Sequence, residues 1–390
     1  MITERIFDLD GEKREFLAAV ISCDRESNGR YAVVLDRTAF FCGGGGQECD
    51  TGTIGFANVL EVCEKNGEII HYTDAPVEKE IVVKGRLDWE KRFRRMQNHT
   101  GEHIVSGLIH EKYGFENVGF HMGHDDVTAD FDGVLTEEQL REIEILANRI
   151  VYENRTVSAE YPSEERLAAL KYRCKSELKG RVRIVTIEGC DRCACCAPHV
   201  ALTGEIGIIH LLGFIHYKGG IRIHMLCGLD AIDRIKKDCA DMKRISSSLS
   251  AKINELPDAV SRLQQNESKL KKEISELKKA VADSKIELLR QSGEDVFLVE
   301  NSLDFADLQR VVSETAEATG KLCMAITGSD DEGYKYVISS KSRNMKDVSR
   351  TINETLGGKG GGNQRMAQGA VKAKETEIRR LFNYLKNQDS

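Results

Sequence analysis

Trp89-Glu90-Lys91-Arg92-Phe93-Arg94-Arg95-Met96-Gln97-Asn98-His99-Thr100-Gly101-Glu102-His103-Ile104-Val105-Ser106-Gly107-Leu108-Ile109-His110-Glu111-Lys112-Tyr113-Gly114 is the stretch on which the reading of this chain turns. Ile104, Val105, Leu108 and Ile109 recur at helical spacing, Lys91, Arg92, Arg94 and Arg95 crowd the start, and Gly114 supplies a stop, so a helix is expected over 90–113. His99 and His103 stand four apart in it. Both side chains therefore leave one face about one turn from each other, the spacing by which a helix offers two imidazoles to one metal ion. His110 lies two turns beyond His103, too far along the axis to share that ion. Two histidines on a solvated face would give the same pattern, so the pair needs partners from elsewhere.

Upstream, residues 13–36 and 53–85 alternate apolar and polar positions in short runs such as Phe16 to Ile21 and Glu80 to Gly85, separated by Asn28-Gly29 and Asn66-Gly67. That is the pattern of a small antiparallel, barrel-like β domain. Downstream come a helix from Thr136 to Asn154, a short one from Glu164 to Leu170, and strand-like runs at Arg181 to Ile187 and Glu205 to Tyr217. Helices on an antiparallel sheet make this an α+β region. From Leu229 the pattern is helical for about sixty residues, with Ile253, Leu256, Val260, Leu263, Leu270, Ile274, Leu277 and Val281 in an a/d series. Pro257 predicts a break, one helix ending near Glu255 and the next starting at Pro257. The last hundred residues read as an α/β-type domain with a glycine-rich loop between its final two helices, Met345 to Leu356 and Ala373 to Leu385. The expected division is 1–88, 89–228, 229–292 and 293–390.

Composition narrows the class. With 390 residues, 41% hydrophobic, 31% charged and four prolines, the chain suits two or three folded domains rather than a disordered protein. The first twenty residues carry charge around one short apolar run, and no segment is apolar for long enough to span a bilayer; a cytosolic location without membrane contact is expected. Twelve cysteines are then not a disulfide framework. The net charge of −7 conceals an asymmetry, because residues 341–390 hold eleven Lys/Arg against five Asp/Glu. A basic tail of this kind suits either nucleic-acid backbone or a solvated surface.

Four of the cysteines fall together in Cys190-Asp191-Arg192-Cys193-Ala194-Cys195-Cys196-Ala197-Pro198-His199. Two readings compete: Cys193 and Cys196 as a structural knuckle, or Cys195 and His199 completing a site begun by His99 and His103. No second CxxC closes a knuckle, which favours the latter.

With its HxxxH, the later CxxxH and Thr203-Gly204-Glu205-Ile206-Gly207 beyond it, the chain resembles the editing domain of alanyl-tRNA synthetase and its free-standing AlaX relatives. Thr38-Ala39-Phe40-Phe41-Cys42-Gly43-Gly44-Gly45-Gly46-Gln47-Glu48-Cys49-Asp50-Thr51-Gly52 is similar to the family's glycine-rich motif. Lys218 to Ile223, with Arg222, resembles its closing strand, and Gly357 to Gly362 with Met366-Ala367-Gln368-Gly369 resembles the synthetase's C-terminal domain. The order of parts matches the long AlaX form. Two departures stand out: Cys195-Cys196-Ala197-Pro198-His199 where the family usually reads Cys-Gly-Gly-Thr-His, and Cys42 where it usually has proline. The first makes Cys196 a rival to Cys195 as a ligand.

The resemblance implies a zinc-dependent hydrolase that deacylates alanine tRNA carrying serine, with glycine as a further target; the a/d series separately makes a second copy of the chain a candidate partner, through the helical linker or the C-terminal domain. It implies zinc on His99, His103, Cys195 and His199, Gln47 on the attacking water or ester, Gly44, Gly45 and Gly46 against the substrate, and Arg222, Lys359, Gly360 and Gly361 on tRNA. Thr38 is the candidate for reading a serine hydroxyl, with strand packing as its alternative. Asp50 is assigned either to the substrate's amino group or to capping the loop. The rivals are editing of threonine tRNA, against which the Gln47 motif and the alanine-type C-terminal domain argue, and a non-catalytic tRNA-binding protein with structural zinc.

Overall fold

The structure is a computed structural model and describes residues 2–123, 126–174 and 181–389. It divides into two compact units, Met1–Arg244 and Ile245–Ser390.

In the first unit, alternation along Glu15–Arg25 turns Phe16, Ala18 and Val20 inward. Six such strands close into an antiparallel barrel in the order Glu15–Arg25, Tyr31–Leu35, Glu68–Thr73, Ala57–Lys65, Gly52–Ile54, Val82–Leu87. Closure leaves these strands without a free edge. Asp88 then caps the helix Trp89–Tyr113 by accepting from Lys91 N, and Gly114 ends it in the left-handed conformation. Gly114 is the stop expected from the sequence.

The middle of this helix is buried nearly all round, from Met96 to Gly107 and again at Ile109. Two glycines make that approach feasible. A Cβ on Gly101 would stand 2.2 Å from Cys227 Sγ, and one on Gly107 would stand 2.8 Å from Asp191 Cβ and 2.9 Å from Cys190 O. Against it pack the helix Glu137–Glu153 and a four-stranded sheet in the order Ile209–Tyr217, Gly220–Cys227, Val127–Phe131, Asn117–Met122. A separate sheet, Val157–Glu160, Ile184–Ile187, Asp191–Ala194, delivers the Cys/His loop at the end of its last strand. The run expected as a strand from Glu205 starts only at Ile209, because Thr203–Ile206 forms a 3-10 turn closed by Gly207.

The helical region breaks earlier than expected: Gly228–Leu249 ends six residues before Glu255, Ile253–Glu255 is a 3-10 turn, and Leu256–Ser292 follows with Pro257 in its first turn, where a missing N–H leaves no helical bond unmade. Within the second unit, Leu263, Leu270, Ile274 and Leu277 of this helix are all more than half exposed. Its C-terminal end packs through Ala282 and Ile286 on Leu303 and Val311.

The C-terminal sheet runs Val296–Val299, Cys323–Ser329, Gly333–Ser339, Met366–Val371, Lys359–Gly362. Only its first pair is parallel, so the expected α/β character gives way to a mixed sheet with a tight hairpin at 330–332. The expected glycine-rich loop is also corrected. Gly357 caps the helix Met345–Leu356, and Lys359, Gly360 and Gly361 lie in an edge strand paired with Met366–Val371. Among the described residues no helix is long and apolar enough to cross a membrane.

Candidate metal centre

His99 and His103, each 1% exposed, face the loop that carries Cys195 and His199. The ligating atoms of the four side chains all lie within 4.8 Å of one another. Cys195 Sγ is 3.5 Å from His99 Nε2 and 3.4 Å from His199 Nε2. Sulfur and nitrogen ligands of one tetrahedral zinc, at about 2.3 and about 2.0 Å from it, would stand about 3.5 Å apart.

The opposite ring nitrogens each face a neighbour. His99 Nδ1 meets Gln47 Oε1 at 2.9 Å, His199 Nδ1 meets Thr100 Oγ1 at 3.0 Å, and His103 Nδ1 lies 3.2 Å from Asp191 Oδ2. Metal-binding histidines are oriented in this way, with one nitrogen anchored and the other free for the ion. His103 Nε2 is buried with no hydrogen-bond partner. A buried polar atom is rarely left alone without reason, and a metal ion held here would satisfy this one.

Burial opposes charge on each of these groups, and the neighbours decide the outcome. Although burial would raise it, the Cys195 thiol is held well below its ordinary value by His99, His199 and His103. Burial likewise works against a charged His103, but Asp191 and Cys195 raise its pKa to about 9. His199 is pushed down to about 3, mainly by burial. A thiolate among imidazoles is the donor set that zinc takes. His103, Asp191 and Cys193 form a second cluster of ligand atoms. It is the poorer one, because Arg173 already binds both Asp191 oxygens, each at 2.8 Å.

The loop is locked by a residue that sequence reasoning missed. Arg183 Nη1 donates to Cys195 O at 3.1 Å and to Ala197 O at 2.8 Å, while Cys195 N donates to Arg183 O. Asp191 and Thr100 were missed as well. Only Asp191 gave any signal, by sitting inside the Cys/His cluster.

Gly43, Gly44, Gly45 and Gly46 all have positive φ and form a tight turn against the site, with Gly44 and Gln47 exchanging backbone hydrogen bonds. Gln47 orients His99 through Oε1, and its Nε2 is buried without a partner. A cavity of about 320 Å³ opens beside the cluster, lined among others by Gly45, His99, Tyr161, Arg181, Cys195 and Cys196.

Three candidate residues are engaged by partners within the fold. Thr38 is fully buried, its hydroxyl donating to His71 Nε2 at 2.9 Å and accepting from Phe40 N at 3.1 Å. This engagement within the barrel is the arrangement that the strand-packing alternative describes. Asp50 accepts from Phe41 N and receives the Arg92 guanidinium on both oxygens, the arrangement that the capping alternative describes. Arg92 also donates to Ala39 O and Gly11 O, pinning the barrel to the metal-bearing helix. Arg222 grips Asp130 with two bonds and lies 3.9 Å over the Tyr217 ring, which braces the sheet.

Residues 182–245 match the family described as threonyl and alanyl tRNA synthetase second additional domain, and residues 294–388 match the DHHA1 domain. The alanyl-tRNA editing protein AlaX-L of Pyrococcus horikoshii is 31% identical over 97% of this chain and 96% of its own. An alanyl-tRNA editing protein of Mus musculus is 26% identical over 92% of each chain. An alanine–tRNA ligase of Pyrococcus abyssi is 32% identical over 87% of this chain but only 39% of its own length. Matched across nearly its whole length, this chain belongs to the AlaX-L family of alanyl-tRNA editing proteins.

Proposed function

We propose that this editing hydrolase cleaves the ester of alanine tRNA mischarged with serine, and also with glycine, at a zinc ion held by His99, His103, Cys195 and His199. The observation that carries this reading is the convergence of the four ligand atoms, three of them on histidines whose other nitrogen faces a neighbour. Zinc bound there supplies a Lewis acid beside the ester carbonyl.

The chain's own residues do the rest. Gln47 fixes the His99 ring through Oε1, and its partnerless Nε2 is the donor we assign to a substrate or water oxygen. Gly45 presents bare backbone to the cavity, so the aminoacyl group can come close. At the rim, the Arg181 guanidinium lies 4.7 Å over the Tyr161 ring, a cationic and stacking surface suited to the 3′-terminal nucleotide. In the C-terminal unit, Lys359, Gly360 and Gly361 form an exposed strand in the basic part of the chain, which supports backbone contact with tRNA. The exposed apolar stripe on Leu256–Ser292 supports self-association.

The test is single-turnover deacylation of Ser-tRNA(Ala), Gly-tRNA(Ala), Ala-tRNA(Ala) and Thr-tRNA(Thr) by zinc-loaded protein, repeated after chelation and with His103→Ala. We expect rapid loss of serine, alanine spared, and at least about a hundredfold fall in rate on removing the metal. Tight binding of zinc and tRNA with no ester cleaved would leave a binding protein with structural zinc. Preferential loss of threonine would move the activity to the other tRNA named by the family match.

A further inference from the structure

Cys196, the residue that departs from the family's usual glycine, is solvent-exposed, whereas Ala197 beside it is buried. The solvent it meets is in the metal cavity, which it lines with Gly45, His99 and Cys195. A Cβ on Gly44 would lie 3.3 Å from Cys196 Sγ, and one on Gly45 would lie 3.8 Å away. The thiol therefore stands over the glycine turn, where a side chain on Gly44 or Gly45 would touch it. It is not in the group of atoms that converge on the metal position.

We propose that Cys196 is the size gauge of the aminoacyl pocket: its thiol, facing Gly44 and Gly45, closes the metal end of the cavity to amino-acid side chains larger than serine's. The proposal rests on the editing reading of this cavity. Cys195 and Cys196 are consecutive and line the same cavity, so a metal held by Cys195 would keep the Cys196 thiol beside it. Serine and threonine differ by one methyl group, a difference that a wall in van der Waals contact resolves by about 10- to 200-fold. Glycine and serine lie below the limit, so this wall does not separate them.

The test is equilibrium binding of hydrolysis-resistant 3′-aminoacylamido-adenosines carrying glycyl, seryl or threonyl groups to the zinc-loaded full chain. It compares wild type with Cys196→Gly, Cys196→Ala and Cys196→Ser, with zinc content measured for each. We expect the threonyl compound to gain at least about tenfold in Cys196→Gly and less in Cys196→Ala. Cys196→Ser should stay near wild type, the glycyl compound should change less than about twofold, and every variant should keep its zinc. An unchanged threonyl-to-seryl ratio in a zinc-retaining Cys196→Gly protein would overturn the proposal, and loss of zinc in Cys196→Ser would make the thiol a ligand instead of a wall. If wild type holds zinc but binds none of the three compounds, the editing reading of the cavity fails first and takes the gauge with it.

Discussion

The chain has two glycine runs of similar composition, and they fold in opposite ways. Gly43 to Gly46 takes four successive positive φ angles and curls against the metal centre. In the other run only Gly357 has a positive φ; it ends a helix, and 359–362 extends as an edge strand. The difference lies in the neighbours. Gly46 is pressed on the strand Asn117–Met122, where a Cβ would come within 2.4 Å of the Phe120 ring, and the turn leads into Gln47, which is tied to His99. Gly361 has nothing within 4 Å of a Cβ, while Gly360 and Gly362 lie against Tyr336 and the paired strand Met366–Val371, and Asn353 Nδ2 donates to Gly360 O. Glycine permits both conformations, and the surroundings choose between them.

The largest effect that would break this contrast is expected from Gly46→Ala. Left-handed strain and overpacking on Phe120 together should cost about 3–5 kcal/mol in urea unfolding, with loss of zinc binding in parallel. A cost below about 1 kcal/mol would mean that the turn relaxes freely and is not shaped by its neighbours.

A second test probes the barrel from which the turn grows. His71 donates from Nδ1 to Val33 O and accepts from Thr38, and burial lowers its pKa to about 4. The unfolded chain takes up this proton near pH 6.5, but the folded protein resists until about pH 4. Stability from neutral His71 is therefore full above about pH 6.5 and is lost as pH falls to about 4, by roughly 3 kcal/mol in all. Urea midpoints at pH 7.5 and pH 5 should fall more for wild type than for His71→Gln, and equal slopes would remove His71 as the cause. The smallest effect belongs to Gly361→Ala, which should change stability by less than about 0.5 kcal/mol; a larger loss would show the edge strand to be as constrained as the turn.

Much of the fold was legible because its signals are local. Asp88 and Gly114 bound the site helix, Thr136 and Asn154 cap the next one, and Pro257 marks a helix start. Glycine-rich segments were not legible, since a residue without a side chain carries no periodicity: the run at 357–362 reads as a loop and folds as a strand. The early end at Leu249, followed by Ser250 with φ of 48°, likewise carries no sequence mark of its own.

By itself the sequence determined the chemistry available: two histidines one turn apart, a thiol and a third histidine on a short loop, and a glycine turn followed by a glutamine, because spacing along one element dictates which side chains share a face. The tertiary structure alone decided how these groups are used. It brought residues some hundred positions apart to hydrogen-bonding distance, engaged Thr38 with His71 and Asp50 with Arg92, and set Arg183 across the Cys195 loop. It also stood Cys196 over Gly44 and Gly45 instead of among the ligands. Roles that depend on which long-range partner satisfies a buried polar group are settled only when the elements pack, since no local pattern records that choice.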